Sequence, residues 1–138
     1  MSGILGVIPA RWGSSRLPGK PLAEIGGVPL VVRVLRQAQR ATTLAAVVVA
    51  TDDARIQQAV EAAGGQALLT DPAHPNGTAR LGEVAKARPG YSGYLNIQGD
   101  EPFVAPAAID ALAQAVAQGR SPIATLISPL PSGDPDTA

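Results

Sequence analysis

The chain has 138 residues, close to the commonest size of a single domain, and can bury roughly two thirds of its unfolded surface. Hydrophobic residues make up 46% and charged residues 16%, a globular balance that excludes intrinsic disorder. Eleven basic and eleven acidic side chains cancel, so no global field draws the molecule to nucleic acid or to an anionic membrane, and any anion site has to be local.

Ile4-Leu5-Gly6-Val7-Ile8 is a continuous aliphatic run, the pattern of a strand buried on both faces, and Pro9 is expected to end it. After a Gly/Pro-rich loop, Val28, Val31, Val32, Leu35 and Ala38 recur at helical spacing with Arg33, Arg36 and Arg40 opposite, which predicts an amphipathic helix opening at Pro29. Ala45 to Ala50 reads as a second buried strand, and Thr51-Asp52-Asp53 supplies capping residues for a helix carrying Ile56, Ala59, Val60 and Ala63. Gly64-Gly65 ends that helix, Ala67 to Leu69 is a short third strand, and Asp71 to Gly77 is loop by every local signal. A helix from about Thr78 to Ala87, a strand at Tyr94 to Ile97, a helix from Pro106 through Val116 and a strand at Ile123 to Ile127 complete the order βαβαβαβαβ. Crossovers of this length join parallel strands. The expected architecture is a Rossmann-like, doubly wound, three-layer α/β sandwich with a mostly parallel sheet.

Cysteine is absent, which excludes disulfides and thiolate metal sites, and no apolar run approaches membrane-spanning length. Ile4 to Ala10 is too short for a signal-peptide core and has no basic flank before it. A cytoplasmic, soluble protein without membrane insertion is expected.

In an open α/β sheet, ligands bind beyond the carboxyl ends of the strands. Those ends are the run Arg11-Trp12-Gly13-Ser14-Ser15-Arg16-Leu17-Pro18-Gly19-Lys20-Pro21, the triplet Thr51-Asp52-Asp53, the loop from Asp71, and Gln98-Gly99-Asp100-Glu101. Arg11, Arg16 and Lys20 place three of the eleven cations in ten residues with no acid among them, where even spreading would give about one. Glycines let backbone N–H groups approach oxygens and guanidinium forks bind them bidentately, so the loop suits phosphates; the alternative is a solvated basic loop. Gly13 and Gly19 enclose five residues and Pro21 follows Lys20, so the loop is not a Walker A, and no G-x-G-x-x-G occurs. Asp100, after a buried strand and Gly99, is the candidate to hold Mg²⁺, with a turn role as the alternative. Thr78 and Arg80 open a helix whose N–H groups suit an anion or a base edge. His74 is read as an ordinary loop residue, and Ser14 and Ser15 have no partners for a hydrolase triad.

Five blocks in register, Ile8 to Leu22, Ala50 to Asp53, His74 to Arg80, Asn96 to Pro102 and Ala124 to Leu126, closely resemble the 3-deoxy-manno-octulosonate (Kdo) cytidylyltransferases, the CMP-Kdo synthetases of lipopolysaccharide assembly. The resemblance implies transfer of CMP from CTP to Kdo with release of pyrophosphate, Mg²⁺ as cofactor, and a homodimer. It assigns Arg11, Ser14, Arg16 and Lys20 to the CTP phosphates, Asp100 to the metal, and Thr78, Arg80 and Gln98 to the surroundings of the nucleotide, with Lys20 and Asp100 as the catalytic pair. Asn76 stands where the family block usually has serine. On this reading residues 1–128 are the nucleotide-binding half of the family fold and 129–138 a loop. Family members carry a second half with another metal-binding aspartate, much of the sugar site and the dimer surface. The alternatives are a remnant that binds CTP without turnover and a sister nucleotidyltransferase acting on another sugar.

Overall fold

The computed structural model describes residues 3–12, 19–70, 77–97, 105–117 and 123–126. Strand β1 (Ile4–Ala10) leads to a 3-10 turn at Lys20–Leu22, then to a hairpin of β2 (Glu24–Ile25) and β3 (Val28–Pro29). Then come α1 (Leu30–Gln39), β4 (Leu44–Thr51), α2 (Ala54–Ala62), β5 (Gln66–Leu69) and α3 (Gly77–Ala87). The described elements end with β6 (Gly93–Ile97), α4 (Pro106–Ala117) and β7 (Ile123–Leu126).

Five strands form one sheet in the order β5-β4-β1-β6-β7, and every ladder in it is parallel. Alternate residues of β1 face opposite layers, as the twofold period of a strand requires. Ile4, Ile8 and Ala10 pack with α1, α2 and α4 through Val31, Leu35, Ile56, Val60 and Ile109. Leu5 and Val7 pack with Val48, Ala50 and the α3 residues Leu81 and Val84. The expected three-layer α/β sandwich is therefore present, and β1 at its centre is buried on both faces. Each Ile, Leu or Val side chain sealed in this way contributes about 1.5–3 kcal/mol.

Two expectations are corrected. β1 does not stop at Pro9 but continues to Ala10. Its described ladder to β6 ends at Val7 opposite Asn96, whereas Pro9 still pairs with Ala50 of β4, one residue before the end of the strand. Val28 and Pro29 belong to the small hairpin, with Pro29 capping a helix that begins at Leu30. Gly26 and Gly27 have φ of 64° and 84°, the left-handed values that a tight primed turn needs at both central positions. The 129–138 tail and Ile127 lie outside the described residues.

The crossovers through α1 and α2 step one way along the sheet with their helices on one face, and the crossover through α3 steps back with its helix on the other. These three share a hand. The step through α4 goes in the same direction as that through α3 but keeps its helix against α1, so its hand is opposite. Asp110 anchors α4 there. Its carboxylate accepts hydrogen bonds from the backbone N–H and hydroxyl groups of both Thr42 and Thr43, in the connection between α1 and β4.

Candidate functional site

The carboxyl ends of β1, β4 and β5 lie side by side, because Ala10 pairs with Thr51 and Thr51 with Leu69. Residues just past these strands meet there. The backbone N–H of Trp12 donates to Asp52 Oδ1 at 3.1 Å, tying the exit of β1 to the exit of β4. The carbonyl of Trp12 accepts from the N–H of Gly19 at 2.7 Å, so the two ends of the cationic run are joined at their base. Gly19 holds φ at 77° and sits against the benzo end of the indole, where a Cβ would come within 2.8 Å of Cη2. The 3-10 turn that follows puts Lys20 on the same edge, closed by Leu22 N–H to the Gly19 carbonyl at 2.9 Å. Arg11 immediately precedes the join, and its Nε is buried without a hydrogen-bond partner among the described residues.

Asp53 caps α2, accepting the Arg55 backbone N–H at 2.8 Å. The Arg55 side chain returns to the same carboxylate, with Nε to Oδ1 at 3.0 Å and Nη2 to Oδ2 at 2.8 Å. The guanidinium hydrogen bond holds the Asp53 carboxyl below the usual carboxylate range, and the carboxylate raises Arg55 in turn. The guanidinium also lies over the Trp12 ring, 3.4 Å from its centroid.

Thr70, just past β5, donates its N–H to the Thr51 carbonyl at 2.7 Å and its hydroxyl to the same oxygen at 3.2 Å. Arg80, in the first turns of α3, is 0% exposed and donates from Nη1 to Thr70 Oγ1 at 3.1 Å. A buried guanidinium has to be hydrogen-bonded, and this one ties α3 to the ends of β4 and β5. Thr78 occupies the first turn of α3, and β6 delivers the chain to the same edge at Ile97.

The structure thus brings the chain at Arg11 and at Lys20 to one edge through the Trp12–Gly19 join, and buries Arg80 against Thr70 just past β5. Ser14, Arg16, Gln98 and Asp100 lie outside the described residues, as do His74 and Asn76. Among the described residues no group of three or more His, Cys, Asp or Glu side chains is arranged to hold a metal ion. The sequence reading missed Arg55, whose signal is weak; it placed Asp52 at this edge as a capping residue, but only Asp53 caps, and Asp52 accepts from the Trp12 N–H.

The sequence matches the cytidylyltransferase family over residues 5–133. The chain belongs to that family. It is 50% identical over 129 residues to the 3-deoxy-manno-octulosonate cytidylyltransferase of Anaeromyxobacter dehalogenans (strain 2CP-C), covering 93% of this chain and 52% of that protein. To the enzyme of the same name from Parabacteroides distasonis it is 45% identical over 135 residues, covering 97% of this chain and 53% of the relative. A solved structure of CMP:2-keto-3-deoxy-manno-octonic acid synthetase complexed with CTP superposes with a TM-score of 0.81 at 45% identity, covering 85% of this chain and 48% of that one. The chain therefore spans about half the length of the curated relatives it matches. No helix among the described residues is long and apolar enough to cross a membrane.

Proposed function

We propose that this cytidylyltransferase chain supplies the nucleotide-binding half of an enzyme that transfers CMP from CTP to 3-deoxy-manno-octulosonate, a step of lipopolysaccharide assembly suited to the cytoplasm. The observation that carries the reading is the likeness to the CTP-bound synthetase, at 45% identity over a fold whose cationic run is joined at its base by Trp12 and Gly19. The sugar hydroxyl oxygen attacks the α-phosphorus, the bond from that phosphorus to the β-phosphate oxygen breaks, pyrophosphate leaves and the hydroxyl proton is released. Such in-line transfer needs no covalent intermediate and depends on positioning and charge stabilisation.

Arg11, Ser14, Arg16 and Lys20 hold the phosphates, and the positive charge of the three cations stabilises the charge that develops in the transfer. Thr78, Arg80 and Gln98 frame the nucleotide, Arg80 from its buried place under Thr70. Asp100 is the residue that would hold Mg²⁺, since in the sequence it comes three residues after the end of β6 and a hard carboxylate fits a hard cation. When bound, that ion neutralises phosphate charge. The family's homodimer belongs to the same reading, through the second half that its longer members carry.

Calorimetry of CTP in Mg²⁺ buffer tests the assignment. Lys20→Ala is expected to weaken binding by about 1.5–3 kcal/mol, the range for a hydrogen bond to a charged group. Unchanged affinity would remove Lys20 from the site, and tighter binding of a nucleotide with another base would point to a sister nucleotidyltransferase. Pyrophosphate release with Kdo, measured on the same sample, separates an enzyme from a chain that only binds.

A further inference from the structure

Arg55 is the second residue of α2, yet its guanidinium reaches back across the sheet edge to the exit of β1. Its side chain is 58% exposed, and an arginine so placed ordinarily samples many rotamers. Here Asp53 fixes it, because both prongs of the fork are engaged by a carboxylate that is itself held as the helix cap. The result is a flat cation presented in one orientation, and what it covers is the ring of Trp12. That residue is the joint of the cationic run: its N–H is taken by Asp52, its carbonyl by Gly19, and its ring lies against Gly19. Arg11 precedes the joint and Lys20 follows it. With Nε and one Nη2 hydrogen bonded to Asp53 and its charge balanced there, Arg55 is better suited to hold Trp12 than to bind a phosphate itself.

We propose that Arg55 is a positioning residue for the triphosphate site: locked by Asp53, it clamps the indole of Trp12 and so keeps Arg11 and Lys20 together at the sheet edge. The proposal rests on the reading that Arg11 and Lys20 bind the CTP phosphates. It predicts coupling between α2 and nucleotide affinity without contact between Arg55 and the nucleotide.

The test is a double-mutant cycle in CTP affinity, read by calorimetry with Mg²⁺ on the wild type, Arg55→Ala, Trp12→Leu and the pair combined, with Arg55→Lys as the conservative variant. Each single change is expected to weaken CTP about fivefold, in line with one lost cation–π contact, and the double variant no more than either alone. Arg55→Lys should recover most of the loss. Trp12 is the chain's one tryptophan, so its acrylamide quenching without nucleotide should rise in Arg55→Ala. If the alanine variant fails to fold, Arg55→Gln takes its place in the cycle. Losses that add in the double variant would show Arg55 acting independently of Trp12 and overturn the proposal. So would unchanged affinity in Arg55→Ala while Lys20→Ala still weakens CTP, a result that leaves the parent reading standing. A wild type that binds no CTP overturns both.

Discussion

At Gly19 the side chain is a hydrogen because the indole of Trp12 fills the space a methyl group would need, and because φ of 77° is left-handed. Gly19→Ala meets both obstacles. The backbone alone is expected to cost about 1–2 kcal/mol, and the displaced ring should lower CTP affinity as well. Urea denaturation and calorimetry check the two effects separately; a variant with wild-type midpoint and affinity would mean that the run closes without the Trp12 contact. The sequence showed Gly19 as a place of close backbone approach, but to phosphate oxygens. What approaches in the structure is a ring seven residues earlier, a contact no local spacing announces. Arg80 shows the same limit: its place at the opening of a helix was legible, its complete burial under Thr70 was not, since that depends on where β5 ends relative to α3.

Long elements were legible because their periodicity extends over several turns or a full strand, as in α1, whose Val31, Val32, Leu35 and Ala38 all face the core. The hairpin was not. Two strands of two residues are too short to alternate, although Gly26-Gly27 between Ile25 and Val28 is a turn signal that could have revealed it. The anchor of α4 was equally silent, because Asp110 binds Thr42 and Thr43 across the fold. The hydroxyl of Thr43, its backbone N–H and those of Thr42 hold the Asp110 carboxyl below its ordinary value. A carboxyl depressed by folding contributes stability that is complete above its unfolded pKa, about 3.9, and is lost as pH falls through the lower folded value. Asp110→Asn should therefore lower the denaturant midpoint at pH 7 and narrow its gap to the wild type as pH drops below about 4. A gap that stays constant from pH 7 to pH 3 would show that the charge of Asp110 contributes nothing to anchoring α4.

Across the whole molecule, the alternation of strands and helices was enough to predict a parallel sheet in three layers. Strand order and the hand of the last crossover were not readable, since both depend on which edge each helix returns to. With β1 and β4 each paired on both sides and β5 and β7 at the ends of the described sheet, backbone hydrogen exchange should be slowest in Ile4–Ala10 and Leu44–Thr51. Faster exchange there than in Gln66–Leu69 would contradict this order of stability. The same parallel pairing governs how the chain emerges from the ribosome. β1 finds no neighbour until Thr51 has been made and no second one until Ile97 has, an interval on the order of ten seconds at ordinary synthesis rates. For that time an aliphatic strand is open to pairing with copies of itself on neighbouring nascent chains. Pro9, inside that strand, lacks the N–H that such a stack would require, which opposes the pairing at this position.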